Sequence, residues 1–135
     1  MASGSPVPPP SKELAVQYLA RARQHYQSYL RLKSGGRDLD WAVVALFYTA
    51  LHLVEAYFVE HHSYPTRDHQ RRRDRVGALL TPLFQHYRTL EDKSQDARYE
   101  PQLVPFTPEE VQELEDADFA PLMTGLRNRG ISLYP

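Results

Sequence analysis

His52 and Glu55 stand at the centre of FYTALHLVEAYF, residues 47–58, the most apolar run in the chain. An imidazole can move a proton near neutral pH, and a carboxylate can accept one or hold a cation, so the two are candidates for acid–base or binding chemistry. At about 100° per residue, Trp41, Tyr48, His52, Glu55 and His62 fall on one stripe of a helix. A buried polar group left unpaired costs about 1 to 3 kcal/mol, so this stripe must face a cleft, a dimer seam or a satisfied polar network. The plainer alternative is that His52 and Glu55 bond each other and nearby tyrosines as core groups, or that the face is solvated.

A second set of candidates lies in RDHQRRRDRV, residues 67–76. Arg67, Arg71 and Arg75 are four apart and form one ridge of a helix, while His69, Arg72 and Val76 share the neighbouring face. Guanidinium groups donate bidentate hydrogen bonds and a helix start offers free amides, so the segment can hold a phosphate or another anion. Read plainly, it is a solvated face whose arginines pair with Asp68, Asp74 and acids elsewhere. No aromatic residue interleaves the run to stack on bases. In YRTLEDKSQDARY, residues 87–99, Tyr87, Ser94 and Arg98 project from one side of a helix that ends at Arg98-Tyr99. If that helix packs beside the apolar one, Arg98 is placed to neutralise Glu55.

These groups need elements to position them. Ser11 caps a helix in which Leu14, Tyr18, Ala22, Tyr26 and Tyr29 recur at helical spacing as far as Lys33, with Gly35-Gly36 as the stop. Asp38 or Asp40 caps a second helix to about residue 62, apolar nearly all round and therefore destined for the middle of a bundle. Its length suits a membrane span, but Asp40, His52, Glu55 and Glu60 interrupt it, and no membrane association is expected. After the loop HSYPT, Thr66 or Asp68 caps a third helix whose buried end is Val76, Leu79 and Leu80. Thr81-Pro82 opens a fourth helix, as N-cap and first-turn proline, through Leu83, Phe84, Tyr87, Leu90 and Ala97, unless it is a kinked continuation of the third. YEPQLVPF is extended by its prolines, and TPEE forms a capping box, Thr107 with Glu110, for a fifth helix carrying Val111, Leu114, Leu122 and Leu126. Pro121 kinks or breaks it. No stretch alternates as a strand. The expected fold is all-α, an antiparallel up-and-down bundle of four to five helices in one domain, residues 11–135, behind a disordered Pro-rich tail, residues 1–10.

Composition narrows the function classes. The chain has 135 residues, no cysteine and a formal charge of -1. Disulfides and thiolate metal sites are excluded, no global basic field recruits nucleic acid, and any such contact must be a local patch. With no secretory leader recognisable, a soluble cytoplasmic protein is expected. There is no glycine-rich phosphate loop, HExxH, nucleophile elbow or EF-hand spacing, and His61, His62, His69 and His86 with Glu60 are too irregularly spaced for a metal shell. No cofactor and no metal are expected.

The tract WAVVALFYTALHLVEAYF, the short loop, DHQRRRDRV and the pattern Y-x-x-L-x-x-x-S-x-x-A-R-Y at residues 87–99 together resemble small prokaryotic members of the HEPN superfamily. The resemblance covers roughly residues 11 to 130. It implies a homodimeric helical bundle with a polar cleft at the dimer seam, and a role in RNA cleavage, RNA or nucleotide binding, or partnership with a separately encoded nucleotidyltransferase in toxin-antitoxin, defence or stress systems. The ribonuclease signature of that superfamily, Arg followed by His after four to six residues, is missing; Arg67 with His69 and Arg21 with His25 are too close. The expected function is therefore an RNA- or nucleotide-associated module, with Tyr48, Glu55, Arg67, Arg71, Arg72, Arg98 and Tyr99 as binding residues. The alternatives are a metal-independent endoribonuclease using His52 or His69 as base with Arg72 or Arg98 as phosphate clamp, and a structural dimerisation or interaction module.

Overall fold

The computed structural model describes residues 11–62, 64–99 and 105–133. The expected disordered tail, and most of the proline-containing segment before Thr107, lie outside them. Helix α1, Lys12–Gly35, starts at Ser11, whose side chain accepts from the Leu14 amide, and ends at Gly36, whose φ of 73° is the left-handed conformation that glycine adopts without strain. The Ser11 amide donates to the Val59 carbonyl at 2.8 Å. That bond sets the start of α1 beside the end of α2, Leu39–His61, so the two run antiparallel.

Sixteen of the twenty-three residues of α2 are buried. Its apolar window is long enough for a membrane, but most of it is covered by the other helices, as befits the central rod of a bundle. Helix α3, His69–Leu79, is capped by Asp68, which accepts from the amides of Gln70 and Arg71. Only its Arg72–Val76 face turns inward, continued by Leu80, so Leu79, expected in the core, is exposed. Thr81–Leu83 tightens into a 3-10 turn that leads directly into α4, Phe84–Tyr99. Thr81 does not cap forward as expected; its hydroxyl donates back to the Gly77 carbonyl and so closes α3. Tyr48 meets Arg98 at 2.7 Å near the end of α4, while Glu55 lies by Tyr87 near its start, so α2 and α4 are antiparallel.

The Thr107–Glu110 capping box forms as read and opens α5, Pro108–Leu114. A π turn, Glu115–Phe119, then carries the chain into α6, Ala120–Arg127, without interruption. Pro121 has no amide to donate and its ring crowds the preceding turn; the chain answers by widening that turn, with the Ala120 amide reaching the Glu115 carbonyl. Proline here neither breaks nor simply kinks the helix. No strand occurs among the described residues, and the architecture is an all-α bundle of α1, α2, α4 and the α5–α6 rod, braced by short α3. Its core is built from Leu46, Phe47, Leu53 and Phe58 of α2 against Tyr29, Tyr87, Leu90, Leu122 and Leu126.

Candidate functional site

The polar stripe of α2 divides among its neighbours. Glu55 points at the α2–α3 connection and is 1% exposed. Its Oε1 accepts from Arg72 Nε at 2.8 Å and its Oε2 from the Thr66 amide at 2.7 Å. Arg72, also buried, donates again to the Thr66 carbonyl at 2.6 Å, and its third nitrogen faces His69 Nδ1 at 3.2 Å. Burial pushes the Glu55 carboxyl upward, and Arg72 and the Thr66 amide pull it back. The Thr66 hydroxyl accepts from Arg75, which is sandwiched between the rings of Phe58 and Tyr64 at 4.3 and 4.4 Å. Both expected partners of Glu55 are corrected here. Arg98 is not its counter-ion, since Arg98 donates to the Tyr48 hydroxyl and lies 5.0 Å from the Tyr99 ring. His52 does not bond it either, because its Nδ1 is taken by the Tyr48 carbonyl and its ring turns toward Tyr18 and His25 of α1.

His52 instead faces α1. Its Nδ1 is 2.8 Å from the Tyr48 carbonyl, and its ring lies 4.9 Å from His25 and 6.1 Å from Tyr18. Leu14, Gln17, Tyr18, Arg21 and His52 line a groove of about 290 Å³ with no carboxylate in its wall. Burial lowers the pKa of both His25 and His52, and the positive charge of Arg21 lowers each further, so both rings are neutral at neutral pH. The charge of Arg67 acts on Tyr18, and Arg67 itself lines a second groove of about 470 Å³ with Tyr64, Arg71, Asp74 and Arg75. Among the described residues neither Arg21 nor Arg67 has an ion-pair partner. On the other side of His25, the Tyr48 ring at 5.9 Å leads to Arg98 and exposed Tyr99.

His69, at the first position of α3, sits where the charges of Arg72, Arg98 and Arg73 all reach it; burial is the largest cause of its lowered pKa and these cations add to it. Below it Glu91, 1% exposed, accepts from Arg73 Nε at 2.7 Å. The Ser94 hydroxyl and Glu91 Oε2 are buried without a hydrogen-bond partner among the described residues. So is the Tyr87 hydroxyl, which feels the charge of Arg72 without meeting it in hydrogen-bond geometry.

Of the residues singled out in the sequence, Glu55 and Arg72 form a buried pair, exposed His69 meets Arg72 at its rim, and the charge of Arg98 reaches His69. Tyr48, Arg98 and Tyr99 form a second contact set, and Arg67 and Arg71 border a groove. Trp41, placed on the same stripe, is exposed. Tyr18, Arg21 and His25 were missed as site residues. Their spacing of three, four and seven on α1 is the signal in the sequence, obscured because Tyr18 also fits the core periodicity and Arg21 stands too close to His25 for the ribonuclease spacing. A third groove of about 480 Å³ runs between α4 and α5, but Glu109, Glu110, Glu113 and Asp118 in its wall would repel an anion.

The fold is an all-α bundle, with arginines and tyrosines in the α1–α2 and α3 grooves and His52 in the first of them. No protein-family model, curated protein or solved structure matches the chain.

Proposed function

We propose that the protein is a HEPN-like helical module that associates with RNA or a nucleotide, RNA foremost, in a prokaryotic defence, toxin-antitoxin or stress system. In this reading it works in the cytoplasm as a homodimer or beside a separately encoded nucleotidyltransferase. One observation carries the reading. Arg21 with Tyr18 lines one groove and Arg67 and Arg71 with Tyr64 a second, while Arg98 stands against the Tyr48 and Tyr99 rings outside both. Cations neutralise successive phosphates and rings stack on bases, and a track with several cations suits a chain of phosphates better than a single one. The aromatic residues missing from the basic run itself are supplied by neighbouring helices. Arg72 serves here by position, holding Thr66 and Glu55 so that Arg67 and Arg71 flank the groove.

Fluorescence anisotropy with a labelled single-stranded RNA of about ten nucleotides tests this. Affinity should fall steeply with salt, and Arg67→Ala, Arg71→Ala and Arg98→Ala should each weaken binding and reduce the salt slope by about one phosphate. Absence of binding to RNA and nucleotides at low salt would overturn the reading and leave a structural dimerisation or interaction module.

A second reading, a metal-independent endoribonuclease, is favoured by the neutral His25–His52 pair 4.9 Å apart beside Arg21, which places a base next to a phosphate-stabilising cation. RNA incubated with chelator should then be cleaved, with His52→Phe or His69→Ala losing turnover far more than binding.

A further inference from the structure

The atom of His52 that can reach a ligand is fixed by its anchor. A carbonyl oxygen only accepts, so the Nδ1 atom 2.8 Å from the Tyr48 carbonyl carries the proton, and Nε2 of the neutral ring is left as a lone-pair acceptor. No hydrogen bond among the described residues engages Nε2, while His52 lines the α1–α2 groove beside Arg21 and Gln17. A neutral acceptor is of no use to a phosphate oxygen, which also only accepts. It is matched to a hydroxyl placed next to the phosphate that Arg21 would hold. In a nucleic acid that hydroxyl is the ribose 2′-OH, which DNA lacks.

We propose that His52 is a specificity-determining residue that accepts a hydrogen bond from the ribose 2′-hydroxyl and makes the α1–α2 groove selective for RNA over DNA. The proposal rests on the polyanion-binding reading above and adds the discriminating atom to it. Its setting supports the required protonation state. The titratable and charged groups around His52 are Tyr18, Arg21 and His25 from α1, Tyr48 from its own helix and Arg72 from α3, with Glu55 and Arg67 reaching Tyr18 behind it. Burial, the largest cause, together with His25, Arg21 and Arg72 lowers the ring's pKa from its ordinary 6.5 against the Tyr48 carbonyl, which raises it, so the acceptor is present at neutral pH.

The test compares three fluorescent single-stranded oligonucleotides of one sequence: RNA, DNA, and 2′-fluoro RNA, which keeps the RNA sugar pucker but has no hydroxyl to donate. Anisotropy is read at about pH 7.5, with the RNA checked for integrity by gel. RNA should bind about tenfold more tightly than both other strands, the effect of one hydrogen bond between otherwise desolvated partners. In His52→Phe, which keeps a ring against Tyr18 and His25, the RNA-to-DNA ratio should fall to near one, with circular dichroism verifying the fold. Lowering the pH until His52 protonates should shrink the ratio in the unmodified protein, because Nε2 then donates. Equal affinity for RNA and DNA, or 2′-fluoro RNA binding as tightly as RNA, overturns the proposal while leaving salt-sensitive binding intact. Failure of all three strands to bind removes the underlying reading instead.

Discussion

Glu55 and Arg72 have each given up water for the other, with the Thr66 backbone completing the hydrogen bonds of both. Removing one partner of a buried pair strands the remaining charge, which costs about 3–5 kcal/mol, whereas removing both is far milder. Glu55→Leu and Arg72→Met should therefore each lower the urea midpoint sharply, with the double variant recovering most of the loss. Additive losses would mean that packing, not charge, accounts for the effect. The histidines give a pH dependence whose sign is fixed. His25, His52, His62 and His69 all have lowered folded pKa values, burial being the first cause in each, so the unfolded chain binds more protons once pH drops below 6.5. Stability should be full above that value and decline as pH falls toward the folded values, and His52→Phe should flatten part of the decline. A thermal melt that is constant from neutral pH down to pH 5.5 would contradict this. At this scale the sequence placed Glu55 on the central helix but left open whether its face was buried or solvated, and it did not give the partner. The counter-ion comes from Arg72, 17 residues on, and depends on how α3 folds back, which no helical spacing within α2 or α4 encodes.

Among elements, those with local instructions were legible and those that answer a conflict were not. Ser11, Gly36 and the Thr107–Glu110 box act within a few residues, and each terminus stands where those residues put it. Pro82 and Pro121 only forbid a regular α-turn. Whether the chain tightens to 3-10 or widens to π depends on what must be packed. At Glu115, in the π turn, the carboxylate accepts from the Tyr29 hydroxyl at 2.6 Å and from Lys33 at 2.9 Å, tying α1 to the α5–α6 rod. Glu115→Ala should cost about 1–3 kcal/mol by leaving a buried hydroxyl unpaired, and Tyr29→Phe in that background should restore part of it. Gly125 shows packing overruling propensity. Alanine is the better helix former by about 1 kcal/mol, but a methyl at 125 would overlap both methyls of Leu83, a buried side chain that would have to shift within the core. Gly125→Ala should thus lower the melting temperature, and Gly125→Ala with Leu83→Ala should remove the clash at the expense of lost burial.

For the whole molecule, the formal charge of -1 hides an uneven distribution, with arginines, joined by Asp74, lining the α1–α2 and α3 grooves and carboxylates around the α4–α5 groove. The proposed dimer makes a simple expectation: light scattering at micromolar concentration should give twice the 15.6 kDa chain mass, and a mass of one chain would remove the dimer but not the groove. The Thr66 amide, donated to a carboxylate that is itself 1% exposed, also provides a clock. Surface connections ordinarily trade their amide protons for deuterium through small local fluctuations, within seconds to minutes. Thr66 can do so only when the α2–α3 connection parts from the bundle. Its exchange rate should match those of the slowest protons in α2 and respond to denaturant with the same slope, so one site in a loop would count how often the entire molecule opens.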